Sequence, residues 1–304
     1  MSQVSYELKR KKLALAQKES AWKLKAVFVL IFAVLFFVYR SNFGKFWLLF
    51  AATLALFCCL AYAYCEKKLL KRQENAQTEL FNNEFLVGIA RALNFTFQPF
   101  GAFFIDEFDE NSFKRGANLA VCNQSIIGKI GLGDAKFGDL KLMRNFKRKK
   151  KFFDLDKIFA SNINDGAIFD GFVAKFDYQL EFPSEVEVVL KGNTPSANLK
   201  LLKQSAKLSE IFDIYVEDGQ YFLQMGGVEV FENNQILAKL QSIMENLIGE
   251  TRMFLSKKSI IISVENKELF RFNSNDKDAN AKLLESMKLM LQIAKSLENN
   301  RENL

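Results

Sequence analysis

Arg144-Asn-Phe-Lys-Arg-Lys-Lys-Lys-Phe-Phe153 is the sharpest local concentration of reactive side chains in the sequence. Arg144, Lys147, Arg148, Lys149, Lys150 and Lys151 place six positive charges within eight positions, and Phe152 and Phe153 follow at once. Such a run can rest on anionic headgroups, each basic residue near the surface contributing about 1 kcal/mol. The two phenylalanines can enter the interface beside it. The same residues would suit a nucleic acid or a protein partner, and a charge run is also the usual composition of a solvated loop. These eight residues are the candidates for membrane-surface or partner contact.

Other chemistry is sparse. The chain contains no histidine, which removes Ser-His-Asp and Cys-His nucleophile arrangements, histidine-ligated metals and the usual near-neutral proton shuttle. An enzyme here would work with Asp/Glu or Tyr/Lys. Of four cysteines, Cys58, Cys59 and Cys65 lie in one apolar run and Cys122 stands apart; neither a metal set nor a disulfide framework follows, and a reducing compartment is implied. The glycine-rich run Gly128 to Gly138 lacks a Walker ending and a dinucleotide fingerprint, so turns and bulges are expected there. Asp106, Glu107, Asp109 and Glu110, and Asp276 with Asp278, read as exposed acidic surface. No residue is singled out as catalytic, cofactor-binding or metal-ligating.

The elements that must carry the basic run begin with two uncharged stretches. Ala26 to Tyr39 and Phe46 to Cys65 are apolar throughout, joined by the polar link Arg40-Ser-Asn-Phe-Gly-Lys45. The second is long enough for a hydrocarbon core of roughly 30 Å, and the first borrows residues from Trp22 onward, with Lys23 and Lys25 snorkelling. A helical hairpin of two membrane spans over 26–65 is expected, since helices satisfy their own backbone in lipid. Thirteen basic and three acidic residues precede position 73, a net of +10; the whole chain carries +7, so −3 remains for the rest. That distribution argues against nucleic acid as the partner of the larger part. By the positive-inside rule, the basic segment 1–25 and the flank Glu66 to Arg72 lie in the cytoplasm with both termini.

Past the spans, Phe81, Phe85, Ile89 and Leu93 mark one face of an amphipathic stalk helix over 66–93. Residues 94–273 read as an α+β domain of antiparallel strands and helices, with a candidate subdomain split near 193–200. Strands are expected at 95–97, 102–105, 118–127, 168–178, 185–190, 211–216, 251–255, 259–264 and 268–272. A short helix is expected at 197–206, a tight turn at Asp218-Gly219 before a returning strand, and a helix over 234–248 capped by Gly249. The segment 274–304 carries a C-terminal amphipathic helix. Leu283, Met287, Met290, Ala294 and Leu297 form a short seam that suits packing on its own domain or self-association.

The order of local features matters as well. Two apolar spans precede Leu93-Asn-Phe-Thr-Phe97, Ile105-Asp-Glu-Phe-Asp-Glu-Asn-Ser-Phe113, Gly133-Asp-Ala-Lys-Phe-Gly138-Asp139, Ile168-Phe-Asp-Gly-Phe-Val-Ala-Lys-Phe-Asp177 and Phe212-Asp-Ile-Tyr-Val216. This series resembles the bacterial two-pass membrane proteins grouped as the domain of unknown function 3137 family. The resemblance implies a membrane-anchored α+β domain and supplies no catalytic residues. The expectation is an inner-membrane protein tethering a cytosolic interaction domain that binds a protein partner or the anionic lipid surface. A membrane-tethered enzyme acting on lipid or envelope precursors, and an accessory subunit of a transport complex, are the alternatives.

Overall fold

Two long helices open the chain. In the computed structural model, α1 runs over Gln3–Asn42 and α2 over Trp47–Leu80. The structure describes residues 3–42, 47–108, 112–131, 133–144, 167–177, 185–196, 199–203, 208–224, 226–256, 258–265, 269–270 and 279–299. The chain divides into two compact units, Met1–Gly88 and Ile89–Leu304.

In the first unit, α1 and α2 pack antiparallel. Lys9 Nζ meets Glu84 Oε1 at 2.6 Å, Gln17 exchanges side-chain to backbone bonds of 3.4 Å with Gln73, and the Phe28 ring meets Tyr62 edge-on at 5.5 Å. At 1.5 Å per residue the 40 residues of α1 span about 60 Å, roughly twice a hydrocarbon core. The basic segment is therefore the start of the same helix as the first apolar run, and the expected stalk continues α2. Among the described residues one segment, Lys11–Phe37, passes as long and apolar enough to cross a membrane, through an 18-residue stretch of mean hydropathy 2.0, none of it buried.

The helical run of α2 continues through a π-turn, Phe81–Leu86, into α3, Val87–Ala92. A π-turn inserts a residue into the helical period, and its effect is visible in the burial. Instead of the expected stripe at 81, 85, 89 and 93, the structure buries Phe81, Leu86, Ile89 and Ala90.

Among the described residues, the second unit is built on one nine-stranded antiparallel sheet. Its strands are β1 Thr96–Gln98, β2 Leu119–Ile130, β3 Gly133–Met143, β4 Ala167–Asp177, β5 Val186–Leu190, β6 Lys200–Leu201, β7 Phe212–Val216, β8 Thr251–Leu255 and β9 Ser259–Glu265. Their spatial order is β1-β2-β3-β4-β9-β8-β5-β7-β6. The candidate split at 193–200 lies inside this sheet, because β5 is flanked by β8 and β7 from beyond it. The fold is α+β with antiparallel strands, and among the described residues four helices complete it: α4 Gly219–Gln224, α5 Gly227–Asn233, α6 Ile236–Leu247 and α7 Ala279–Asn299.

The central strands are buried on both faces. Side chains alternate along a strand, so Phe169 and Val173 of β4 lie on one face and Phe172, Ala174 and Phe176 on the other, all buried. On the first face, Phe169, Val173, Leu140, Leu142, Phe254 and Ile261 pack with Phe103, Phe108 and Phe113 from the chain that follows β1. The Phe113 ring lies 5.5 Å from Phe108, 4.8 Å from Phe169 and 5.3 Å from Phe254. Among the helices, α7 packs along α6 and reaches β4, and α6 reaches β8. All five seam residues of α7 are buried within the chain, so intramolecular packing occupies that face.

Several local expectations change. The stretch 102–105 is irregular chain leading into a 3-10 turn, Ile105–Phe108; Ala102 and Phe103 turn inward onto the sheet instead of pairing along it. The glycine-rich run is two strands about a turn at Gly131, φ +55°. Gly128 leaves room for the Phe95 ring, which an added Cβ would approach to 2.2 Å. Within the helix expected at 197–206 the described residues are 199–203, and they hold β6, which pairs with β7. Asp218 starts α4 instead of a hairpin, its Oδ1 accepting the Gln220 and Tyr221 amides at 3.0 and 3.1 Å. Of the strand expected at 268–272, Leu269 and Phe270 are described, and their amides donate to the Asp139 carboxylate at 2.8 and 2.7 Å; the rest lies outside the described residues.

The end of α6 also differs. Ile248, not Gly249, takes the left-handed position at φ 49° and ψ 56°. That conformation costs a β-branched residue about 1–2 kcal/mol, and its side chain is 68% exposed. Ile248→Gly should therefore raise unfolding stability by about 1 kcal/mol, read as a higher urea midpoint at unchanged slope. Phe113→Ala should lower it by about 3–5 kcal/mol in the same measurement, because it empties the centre of the aromatic cluster.

Candidate functional site

Of the eight sequence-selected residues, the structure describes Arg144. It follows β3 and is exposed; its Nε donates to Gly116 O at 3.2 Å and its Nη2 to Arg115 O at 3.3 Å. Gly116 has φ +75°, and an added Cβ would meet Arg144 Nη2 at 2.5 Å. Arg144 thus braces a turn. Lys147, Arg148, Lys149, Lys150, Lys151, Phe152 and Phe153 lie outside the described residues.

Two ionic clusters that sequence reasoning missed sit on the sheet face carrying the Phe113 cluster. The first joins β3, β4 and the 3-10 turn. Lys136 Nζ meets Glu107 Oε1 at 2.7 Å and the Ala102 carbonyl at 3.2 Å. Lys175, directly across from Lys136, pairs with Asp177 and lies 3.6 Å from Glu107 Oε2. Glu107, expected as exposed acidic surface, is instead drawn in between two lysines. Asp106 is exposed, while Asp109, Glu110, Asp276 and Asp278 lie outside the described residues.

The second cluster centres on Glu187 of β5, whose side chain is fully buried. Its Oε2 accepts the Ser196 amide at 2.6 Å and its Oε1 the Ser196 hydroxyl at 2.9 Å. Arg252 Nη1 stands 3.5 Å from Glu187 Oε1, donates to Thr194 O at 3.4 Å, and its Nη2 pairs with Glu250 at 2.7 Å. Arg115 Nε donates to Ser196 Oγ at 2.8 Å and its Nη1 meets Glu265 at 3.4 Å. Burial pushes the Glu187 carboxyl above the usual glutamate range; the Ser196 hydrogen bonds and the two guanidiniums oppose that shift.

Both clusters act by holding chain in place. The Arg115 bond occupies a lone pair of Ser196 Oγ while the hydroxyl donates its hydrogen bond to Glu187, so the serine fixes the 193–196 loop instead of being armed as a nucleophile. Cys122 is tucked under Ala102 and Phe103, its Sγ 3.2 Å from Gln124 O, and burial pushes its thiol up to about 11. At neutral pH it is protonated and unreactive. Among the described residues no grouping of three His, Cys, Asp or Glu side chains could hold a metal ion. The signal for the buried ions was present in the sequence: Glu187 interrupts the otherwise apolar strand β5, and Lys175 breaks the apolar run 171–176 of β4.

The remaining surface feature is apolar. Trp22, Val27, Val29, Leu30, Val34 and Phe37 of α1 are exposed, as are Leu56, Phe57, Leu60 and Tyr64 of α2. Contiguous apolar surface of this kind marks an interaction with something other than water.

No family model matches the chain, and no curated protein matches its sequence. Among solved structures it is similar to the crystal structure of the mycobacterial trehalose monomycolate transport factor A, TtfA. The two share 10% identity over 71% of this chain and 94% of that one, with a TM-score of 0.42. A likeness that distant carries no information on ligands or partners.

Glu187 sets a pH dependence. Its carboxyl binds its proton more tightly in the folded chain, so its contribution to stability is fully present below the ordinary glutamate range. That contribution falls as pH rises through the elevated folded value. Glu187→Gln should remove this component, and the stability difference between wild type and variant, measured by urea unfolding at a series of pH values, should shift against the wild type as pH rises from about 4, near the ordinary glutamate value. A difference that stays flat would show that the carboxylate is not strained by burial.

Proposed function

We propose that this chain is a two-pass inner-membrane protein whose helix pair holds an α+β interaction domain at the cytoplasmic face, where it binds a protein partner or anionic lipid. The observation that carries this reading is α1. Its segment Lys11–Phe37 holds an 18-residue stretch of mean hydropathy 2.0 with no buried residue, although it packs along one side against α2. Water is a poor solvent for that surface, and a bilayer is a good one. The exposed apolar side chains of α2 support the reading of a second span beside it. The basic flanks favour a cytoplasmic location for both ends, and the polycation at 147–151 would then share a compartment with the anionic leaflet. The resemblance to the domain of unknown function 3137 family belongs to the same reading.

Fractionation tests it. The full chain should remain in the membrane pellet after alkaline carbonate washing, and a tag placed after Leu304 should resist protease added to intact spheroplasts. Release into the wash, or loss of the tag before lysis, would overturn the assignment.

A further inference from the structure

We propose that the cleft between α1 and α2 is a binding site for one phospholipid whose head carries both a phosphate and a primary ammonium. The inference rests on the reading of these helices as membrane-spanning. It adds to that reading a ligand and a selectivity.

The cleft has a volume of about 770 Å³, within the roughly 300–1,000 Å³ typical of small-ligand sites. Its walls are Phe28, Val29 and Phe32 on α1 and Ala55, Cys58 and Cys59 on α2. Large rings on one helix face small side chains on the other, which keeps the helices apart beside the Phe28–Tyr62 contact and leaves an apolar slot. From Tyr62 to Ala55 the slot runs about 10 Å along α2, most of one leaflet's hydrocarbon half of about 15 Å.

One end of the slot is polar, and its polarity is specific. Lys25, Tyr62 and Glu66 line it, with the Tyr62 hydroxyl donating to Glu66 Oε1 at 3.1 Å. The antiparallel register that brings Phe28 to Tyr62 brings Lys25 level with Glu66. No ion pair joins the two, and among the described residues neither has a charged partner. A phosphate on Lys25 and an ammonium on Glu66 would satisfy both charges at one level. A purely anionic head would set its phosphate against Glu66. A quaternary ammonium could reach Glu66 but has no N–H to donate, and charge-assisted hydrogen bonds are about twice as strong as neutral ones.

The test uses the full chain. It is delipidated in mild detergent, placed in nanodiscs of equal phosphatidylethanolamine, phosphatidylglycerol and phosphatidylcholine with identical acyl chains, then re-extracted and weighed by native mass spectrometry. The expected result is one retained phosphatidylethanolamine per chain, enriched about fivefold, the worth of one surface ion pair. Lys25→Gln with Glu66→Gln should abolish the preference among heads, and Ala55→Trp should abolish retention by filling the slot, both with unchanged circular dichroism. Equal retention of the three lipids by the wild type would overturn the proposal whether or not the variants fold. A lipid-free dimer mass would also overturn it, assigning the cleft to a second copy. A wild-type chain that fails to enter nanodiscs at all would refute the membrane reading, and the lipid site with it.

Discussion

Backbone hydrogen bonding within α1 is self-contained, which allows a helix to be apolar on every side without leaving polar groups exposed to lipid. The chain exploits that freedom over the uncharged run 26–37 of α1, and much of its organisation follows. A surface of that kind must be placed in a nonpolar medium or covered. Charges therefore collect at its ends, and the polar contacts between the two helices, Lys9 with Glu84 and Gln17 with Gln73, lie toward the N-terminal end of α1. The pair is longer than a bilayer core because its polar half is a helical pair in its own right.

The second unit solves a different problem. A sheet of nine strands, buried on both faces at its centre, needs cover on each side. Helices α6 and α7 provide part of it. Much of the other side is covered by an irregular segment whose phenylalanines do the packing and whose backbone has no ladder of its own. Buried and half-buried ions hold that segment and its neighbouring loop. Glu107 ties it to Lys136 and Lys175; Arg115 ties it to Ser196 and Glu265. Breaking one partner of such a cluster leaves a buried charge uncompensated, which is far more costly than never having the pair. The two clusters are thus best understood as fasteners for a covering layer that lacks regular structure.

Much of the architecture was legible in the sequence, for identifiable reasons. The apolar runs, α6 with its stripe at Ile236, Leu240, Ile243 and Leu247, and strands β4, β5, β8 and β9 all have strong periodicity or strong β-branched content. The misplaced elements are short, and at that length neighbours outweigh propensity. Lys200 and Leu201 pair with β7 because an open edge lies beside them. Asp218 caps a helix because the chain after it turns back, although the same Asp-Gly would serve a hairpin. The π-turn at Phe81–Leu86 shifts the buried stripe by a residue, a change that no count at the ordinary helical period anticipates.

What the sequence determined by itself was where charge and apolar side chains fall along the chain, and hence the two helices, the basic flanks and the antiparallel α+β character. Those are local properties, set by neighbours within a turn or two of the backbone. Tertiary structure alone decided which distant charges meet. Glu187 finds Arg252 65 positions away, and Arg115 finds Glu265 150 positions away. It also decided that Lys25 stands level with Glu66 across a cleft. Such pairings depend on strand order and helix register, and those are fixed only when the whole core packs at once.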